Sequence, residues 1–132
     1  MKDLLIVEND TIVTKIWANY FTQYYNVKRA HSVKEAMHML EISLPDAIIL
    51  DLRLNGPEDS GLNVYSYVRN VCGSSIPIIF VTGLDSDTLL YNEANDLAKT
   101  DDQKGMYTKL FAKPIKLSVL EPIVESMMSE VV

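Results

Sequence analysis

Cysteine is almost missing from this chain: Cys72 is the only one in 132 residues, so no internal disulfide can form and a secreted, cross-linked scaffold gains no support. A cytoplasmic location is the expectation. Positive charge is also scarce, with 12 Lys and Arg against 18 Asp and Glu and a formal net charge of −6. Nucleic acid and anionic membrane both require a concentrated basic surface, so neither is expected as a direct partner. A cation or a basic protein patch fits this balance better. Long hydrophobic runs are missing as well. Met1-Lys2-Asp3 is followed by only four apolar residues, too few for a signal-peptide core or a membrane span. His31 and His38 are the only histidines, seven residues apart and without a cysteine or carboxylate array in metal-ligand spacing around them, which argues against a zinc site. Neither a repeat nor a low-complexity stretch is present.

What is present is ordinary globular composition, 48% hydrophobic and 23% charged. A chain of this length completes one core, so residues 1–132 are expected to form a single domain with no room for a separate output domain.

Short apolar bursts alternate with amphipathic stretches, the pattern of βαβ units. Leu4 to Val7 is a continuous apolar run suited to a strand buried on both faces. Ile12, Val13, Ile16, Trp17, Tyr20, Phe21 and Tyr24 recur at helical spacing and predict a helix with one broad apolar face. Val27–Ala30 reads as a weak second strand. Ser32 and Glu35 form a capping-box pattern before a second helix that Pro45 closes. Ala47–Leu50 is a third buried strand ending at Asp51, followed by a loop of turn formers from Asn55 to Gly61. A third helix is predicted over Leu62–Val71, with Gly73 as its C′ stop. Ile76–Val81 predicts the fourth strand, Leu84 to about Leu97 a helix, and Lys99–Gly105 an exposed loop. Thr108–Phe111 predicts a fifth strand. Ser118 to Glu121 predicts the cap of a last helix reaching Met128, in which Pro122 is tolerable only in the first turn.

Five strands and five helices in alternation, joined by right-handed crossovers, predict a doubly wound three-layer α/β sandwich with a five-stranded parallel sheet. Sites in such sheets lie at the carboxyl ends of the strands. The residues found there are Glu8, Asn9 and Asp10, then Asp51, Thr82 and Lys113. Oxygen donors with one ammonium and one hydroxyl suit magnesium and a phosphoryl group. Asp10, taken alone, is expected to be a helix cap.

The stretches Leu-Ile-Val-Glu8-Asn9-Asp10, Pro45-Asp-Ala-Ile-Ile-Leu-Asp51-Leu, Ile78-Ile-Phe-Val-Thr82-Gly83 and Phe111-Ala-Lys113-Pro114 stand in this order along the chain. Together they resemble the response-regulator receiver domain of two-component signalling, from Leu4 through Met128. That resemblance implies a flavodoxin-like sheet in the order 2-1-3-4-5. It implies a signalling module, not a free-standing enzyme, in which Asp51 takes a phosphoryl group from a sensor histidine kinase, a histidine phosphotransfer protein or a small phosphodonor. It assigns Lys113 and Thr82 to the phosphoryl oxygens. It assigns Mg²⁺ to Glu8, Asn9, Asp51 and the backbone carbonyl of Arg53, and makes Lys113–Pro114 a cis peptide. A downstream protein partner, or an output domain lying outside this chain, would read the change.

Three features depart from the family pattern. Asn9 stands where a second carboxylate is usual, and Leu110 where an inward-turning aromatic is usual. The Asp51–Gly61 and Thr82–Lys113 stretches are long, the second with its extra residues around Asp96–Met106. Asn9 and Leu110 motivate an alternative, a pseudo-receiver that binds partners without phosphorylation. A haloacid-dehalogenase-type phosphatase fits poorly because Asp51-Leu52-Arg53 lacks the second aspartate of Asp-x-Asp. A nucleotide carrier fits worse, since no Gly-rich phosphate loop follows Val7. Cys72 is expected to be a small buried hydrophobe and the histidines surface residues.

Overall fold

In the computed structural model, which describes residues 1–54 and 59–130, the chain alternates strand and helix throughout. The elements are β1 (Asp3–Val7), α1 (Thr11–Phe21), β2 (Asn26–Ala30), α2 (Val33–Ile42), β3 (Ala47–Leu50), α3 (Gly61–Ser66), β4 (Ile78–Thr82), α4 (Leu89–Gln103), β5 (Thr108–Ala112) and α5 (Leu117–Ser129). The five strands form one parallel sheet in the order β2-β1-β3-β4-β5.

Strand periodicity divides the core into two layers. Leu5, Val7, Ile48, Leu50, Ile78 and Phe80 point to one side of the sheet, where they meet Ala36 and Leu40 of α2, Val64 of α3 and Ala94 of α4. Leu4, Ile6, Ile49, Ile79 and Val81 point to the other side, against Trp17 and Phe21 of α1 and Leu120, Val124 and Met127 of α5. The central strands β3 and β4 are buried along their whole length, which is why their sequences carry no polar alternation. The edge strand β2 exposes most of its residues and reads as weak for that reason.

Caps explain several boundaries. Asp10 accepts from the N–H groups of Ile12 and Val13 and starts α1. Ser32 accepts from the Glu35 N–H and starts α2. Ser60 and Asn63 form a reciprocal capping box at α3, which was not anticipated. The chain continues past α3 as a π-helical turn, Tyr67–Val71, and stops at Gly73 with φ +62°, as the C′ glycine predicts.

The structure corrects other expectations. Residues 99–103 are helix, not loop: α4 begins at Leu89, after a Thr88 cap, and runs through Gln103. The added turn is held by Asp101, a buried residue that accepts from the Tyr65 hydroxyl at 2.5 Å, the Thr108 hydroxyl at 2.7 Å and Arg69 Nε at 3.3 Å. The extra length around Asp96–Met106 is therefore taken up by the end of α4 and its connection to β5. Leu84 lies outside the helix and packs on the core. β4 starts at Ile78 because Pro77 has no N–H for the ladder, although its carbonyl accepts from Ile48.

The last helix begins at Leu117 after Lys116, with no side-chain cap, so Ser118 is inside the first turn and caps nothing. Pro122 falls beyond the first turn, inside the helix, and removes one backbone donor there. The apolar face of α1 is narrower than predicted: Trp17 and Phe21 are buried, while Ile12, Ile16 and Tyr24 are exposed and α1 ends at Phe21. Cys72 and His31 are half-buried and His38 is exposed. Asn55–Glu58, part of the predicted turn-rich loop, lie outside the described residues. Among those residues no helix is long and apolar enough to cross a membrane.

Candidate functional site

The parallel topology delivers the ends of β1, β3, β4 and β5 to one edge of the sheet. Glu8 follows β1 and is 2% exposed, Asp51 follows β3 and is 5% exposed, and Thr82 closes β4 fully buried. Lys113 follows β5, its N–H donating to the Thr82 carbonyl at 2.8 Å, before a cis Lys113–Pro114 bond. The Lys113 ammonium lies 2.7 Å from Glu8 Oε2 and 3.1 Å from Asp51 Oδ2. One ammonium thus serves two buried carboxylates.

Burial pushes the Glu8 carboxyl up to about 7, and the Asp51 charge adds to that, against the hydrogen bond from Lys113. For Lys113 burial acts downward but is outweighed by the bonds and charges of Glu8 and Asp51, so the ammonium is held above its ordinary value. The cluster is short of positive charge. A hard divalent cation answers that shortage, and the donor set of two carboxylates beside an open cleft of about 480 Å³ fits one. Asn9, Asp51, Arg53, Leu54, Gly83, Leu84 and Lys113 line this cleft.

The remaining predicted residues take distinct positions. Asn9 donates its side-chain amide to the Leu54 carbonyl at 2.7 Å, tying the β3–α3 loop to the end of β1. Arg53 donates its backbone N–H to Asp51 Oδ1 at 3.3 Å and forms a bridge with Ser60. The Thr82 hydroxyl accepts from the Leu84 N–H at 3.1 Å, so its own proton can turn elsewhere. Leu110 is half-buried, pairs with Phe80 in the sheet and packs on the α2–α4 side.

Gly61 is a site residue that the loop composition concealed. A Cβ there would stand 2.2 Å from the Asp51 carbonyl oxygen, so only glycine lets α3 start this close to Asp51.

A family profile described as the response regulator receiver domain matches residues 4–122. The chain belongs to the response regulator receiver family. Receivers are signalling modules of two-component systems, and this one is 34% identical over 98 residues to the transcriptional regulatory protein KdpE of Staphylococcus aureus, covering 70% of this chain and 41% of that protein. It is 32% identical over 84 residues to the response regulator MprA of Mycobacterium avium, covering 63% of the chain and 36% of the relative. The receiver therefore spans less than half the length of these curated relatives. Among solved structures, the signal receiver domain of a putative Luxo repressor protein from Vibrio parahaemolyticus superposes with TM-score 0.77 at 27% identity, covering 98% of this chain and 92% of that one. A CheY-like receiver from Methanospirillum hungatei JF-1 shares the fold, with TM-score 0.76 at 18% identity and coverage of 98% and 95%.

Proposed function

We propose that this receiver accepts a phosphoryl group on Asp51 and that residues 1–132 act as one phosphorylation-dependent switch. The observation carrying the proposal is the Lys113 ammonium bridging Glu8 and Asp51 at the mouth of an open cleft. In the transfer, a new bond forms between an Asp51 carboxylate oxygen and phosphorus while the bond from phosphorus to the donor's leaving atom breaks. Phosphoryl transfer depends on positioning and charge neutralisation more than on acid–base work. Asp51 is held by Lys113 on one oxygen and by the Arg53 N–H on the other, which fixes the plane of its carboxylate. Mg²⁺, held by Glu8, Asp51, Asn9 and the Arg53 carbonyl, would neutralise the phosphoryl oxygens. Lys113 would supply the second positive charge, and the Thr82 hydroxyl, at the end of β4, would donate to one oxygen.

The donor is a sensor histidine kinase or a histidine phosphotransfer protein. An apolar groove of about 420 Å³ beside Lys113, lined by Val13, Trp17, Pro114 and Ile115, supports docking of such a partner next to the acceptor. The new charge at Asp51 would reach a downstream partner or output domain through Thr82 and the residues leading into α4. Incubating the chain with a small phosphodonor and Mg²⁺ tests the proposal: an acid-stable, base-labile phosphate supports it, and unlabelled protein that still binds its partner favours the pseudo-receiver.

A further inference from the structure

A second surface lies at the opposite end of α1, where the phosphoryl chemistry makes no use of it. Tyr20 and Phe21 close the helix, Tyr24 and Tyr25 follow, and Glu121 and Glu125 of α5 face them across a groove of about 300 Å³. The rings form a continuous wall, with centroids 5.2 Å apart for Tyr20 and Phe21, 5.8 Å for Tyr20 and Tyr24, and 6.3 Å for Phe21 and Tyr25. Phe21 is the core anchor of that wall, whereas Tyr24 is 54% exposed and adds nothing to the core. Burial raises the Tyr25 hydroxyl, and the charges of Glu125 and Glu121 raise it further, which places both carboxylates close to the aromatic wall. No lining residue carries positive charge.

Two glutamates one turn apart on a helix are by themselves a solvated face. The aromatic wall opposite changes their meaning. Tyrosine rings present negative π-faces, and cations held over them are attracted by the ring quadrupole. Tyrosine and arginine also dominate the energetics of protein interfaces. We infer that this groove docks a basic segment of a partner protein, with an arginine guanidinium stacked on the tyrosines and paired with Glu121 and Glu125. Arginine suits the site better than lysine because its planar fork stacks and pairs at once. A second copy of this chain is a poor occupant, because groove against groove would bring four carboxylates together in a chain already at net charge −6. The groove and Asp10 stand at opposite ends of α1, which at 11 residues is about 16 Å long. Occupancy here therefore leaves the cleft at Asp51 open, and the inference stands independently of phosphorylation.

The test uses the full chain and an acetylated, amidated Arg-Gly-Arg peptide. Its arginines lie about 6.8 Å apart when extended, close to the roughly 6 Å between Glu121 and Glu125 along the helix. The peptide is expected to shift the NMR signals of Tyr20, Tyr24, Tyr25 and the two glutamates, while a citrulline-for-arginine peptide leaves them in place. The exposed double variant Glu121→Gln/Glu125→Gln should bind at least fivefold more weakly, and Tyr24→Leu should weaken binding without changing the fold. Equal binding of the citrulline peptide, undiminished binding by the glutamine variant, or shifts elsewhere on the surface would overturn the inference. Shifts of the same residues on raising protein concentration alone would also overturn it, by making a second copy the occupant.

Discussion

The Asn9 side chain donates to the backbone carbonyl of Leu54 at 2.7 Å, so the residue that replaces a usual carboxylate also tethers the loop following Asp51. An aspartate at this position would turn a carboxylate toward a carbonyl and lose the tether. It would also add a negative charge to the cation site. Asn9→Asp should bind Mg²⁺ more tightly, on the order of tenfold given one extra charge at contact distance in a wet cleft. Titrating Mg²⁺ against Trp17 fluorescence or amide shifts reads this out. Equal affinities would place position 9 outside the metal shell.

Lys113 neutralises two buried carboxylates at once. Lys113→Ala should lower the rate of phosphoryl-Asp51 formation on the order of a hundredfold, the usual cost of removing one preorganised charge from developing anionic oxygens. The rate with a small phosphodonor is the measurement, and circular dichroism controls for folding. A variant labelled as fast as wild type would remove Lys113 from the chemistry.

The Asp101 cluster holds the end of α4 against α3 and β5. Arg69 and Asp101 side chains are each only 5% exposed, so Asp101→Ala strands a buried guanidinium and should cost about 3–5 kcal/mol in urea unfolding. Burial pushes the Asp101 carboxyl up, but bonds from Tyr65, Thr108 and Arg69 outweigh it and hold the group below its ordinary 3.8. A lowered folded-state value means that the unfolded chain binds the proton more readily on acidification. The stabilisation is complete above the ordinary value and is lost as pH falls through the folded one. The advantage of wild type over Asp101→Asn should therefore shrink as pH drops below about 4. A gap independent of pH would contradict the assignment.

The sheet and the four strand-end motifs were legible in the sequence because each depends on local pattern. Ala47–Leu50 reads as a strand buried on both faces and Asp51 follows it directly, Thr82 closes the equally buried β4, and Lys113 follows the edge strand β5. The end of α4 was not legible in the same way, since Lys99 to Gln103 are all polar and their helix is fixed by tertiary bonds. A signal did exist: Ala94, Ala98 and Asp101 fall at helical spacing on one face, and all three are buried. Tyr65 and Arg69, four apart, supply the matching face. The tether from Asn9 and the close approach at Gly61 depend on where the loop after Asp51 passes, which no periodicity encodes.

Leu110 has neither ring nor hydroxyl to exchange between buried and exposed positions, and it packs on the α2–α4 side of the sheet. The response to phosphorylation should therefore run through Thr82 and the segment leading into α4. Beryllofluoride with Mg²⁺ is expected to shift the amides of Thr82 to Leu90, with smaller changes at Leu110. Unchanged shifts from Thr82 to Lys113 would defeat this route and favour the pseudo-receiver.

The most direct test of the central claim is to treat wild type and Asp51→Asn with a small phosphodonor and Mg²⁺ and map the product by peptide mass spectrometry. One phosphoryl group on the peptide containing Asp51, absent from the variant, is the expected result. Labelling of Asp51→Asn at the wild-type yield would contradict the assignment of Asp51 as the acceptor.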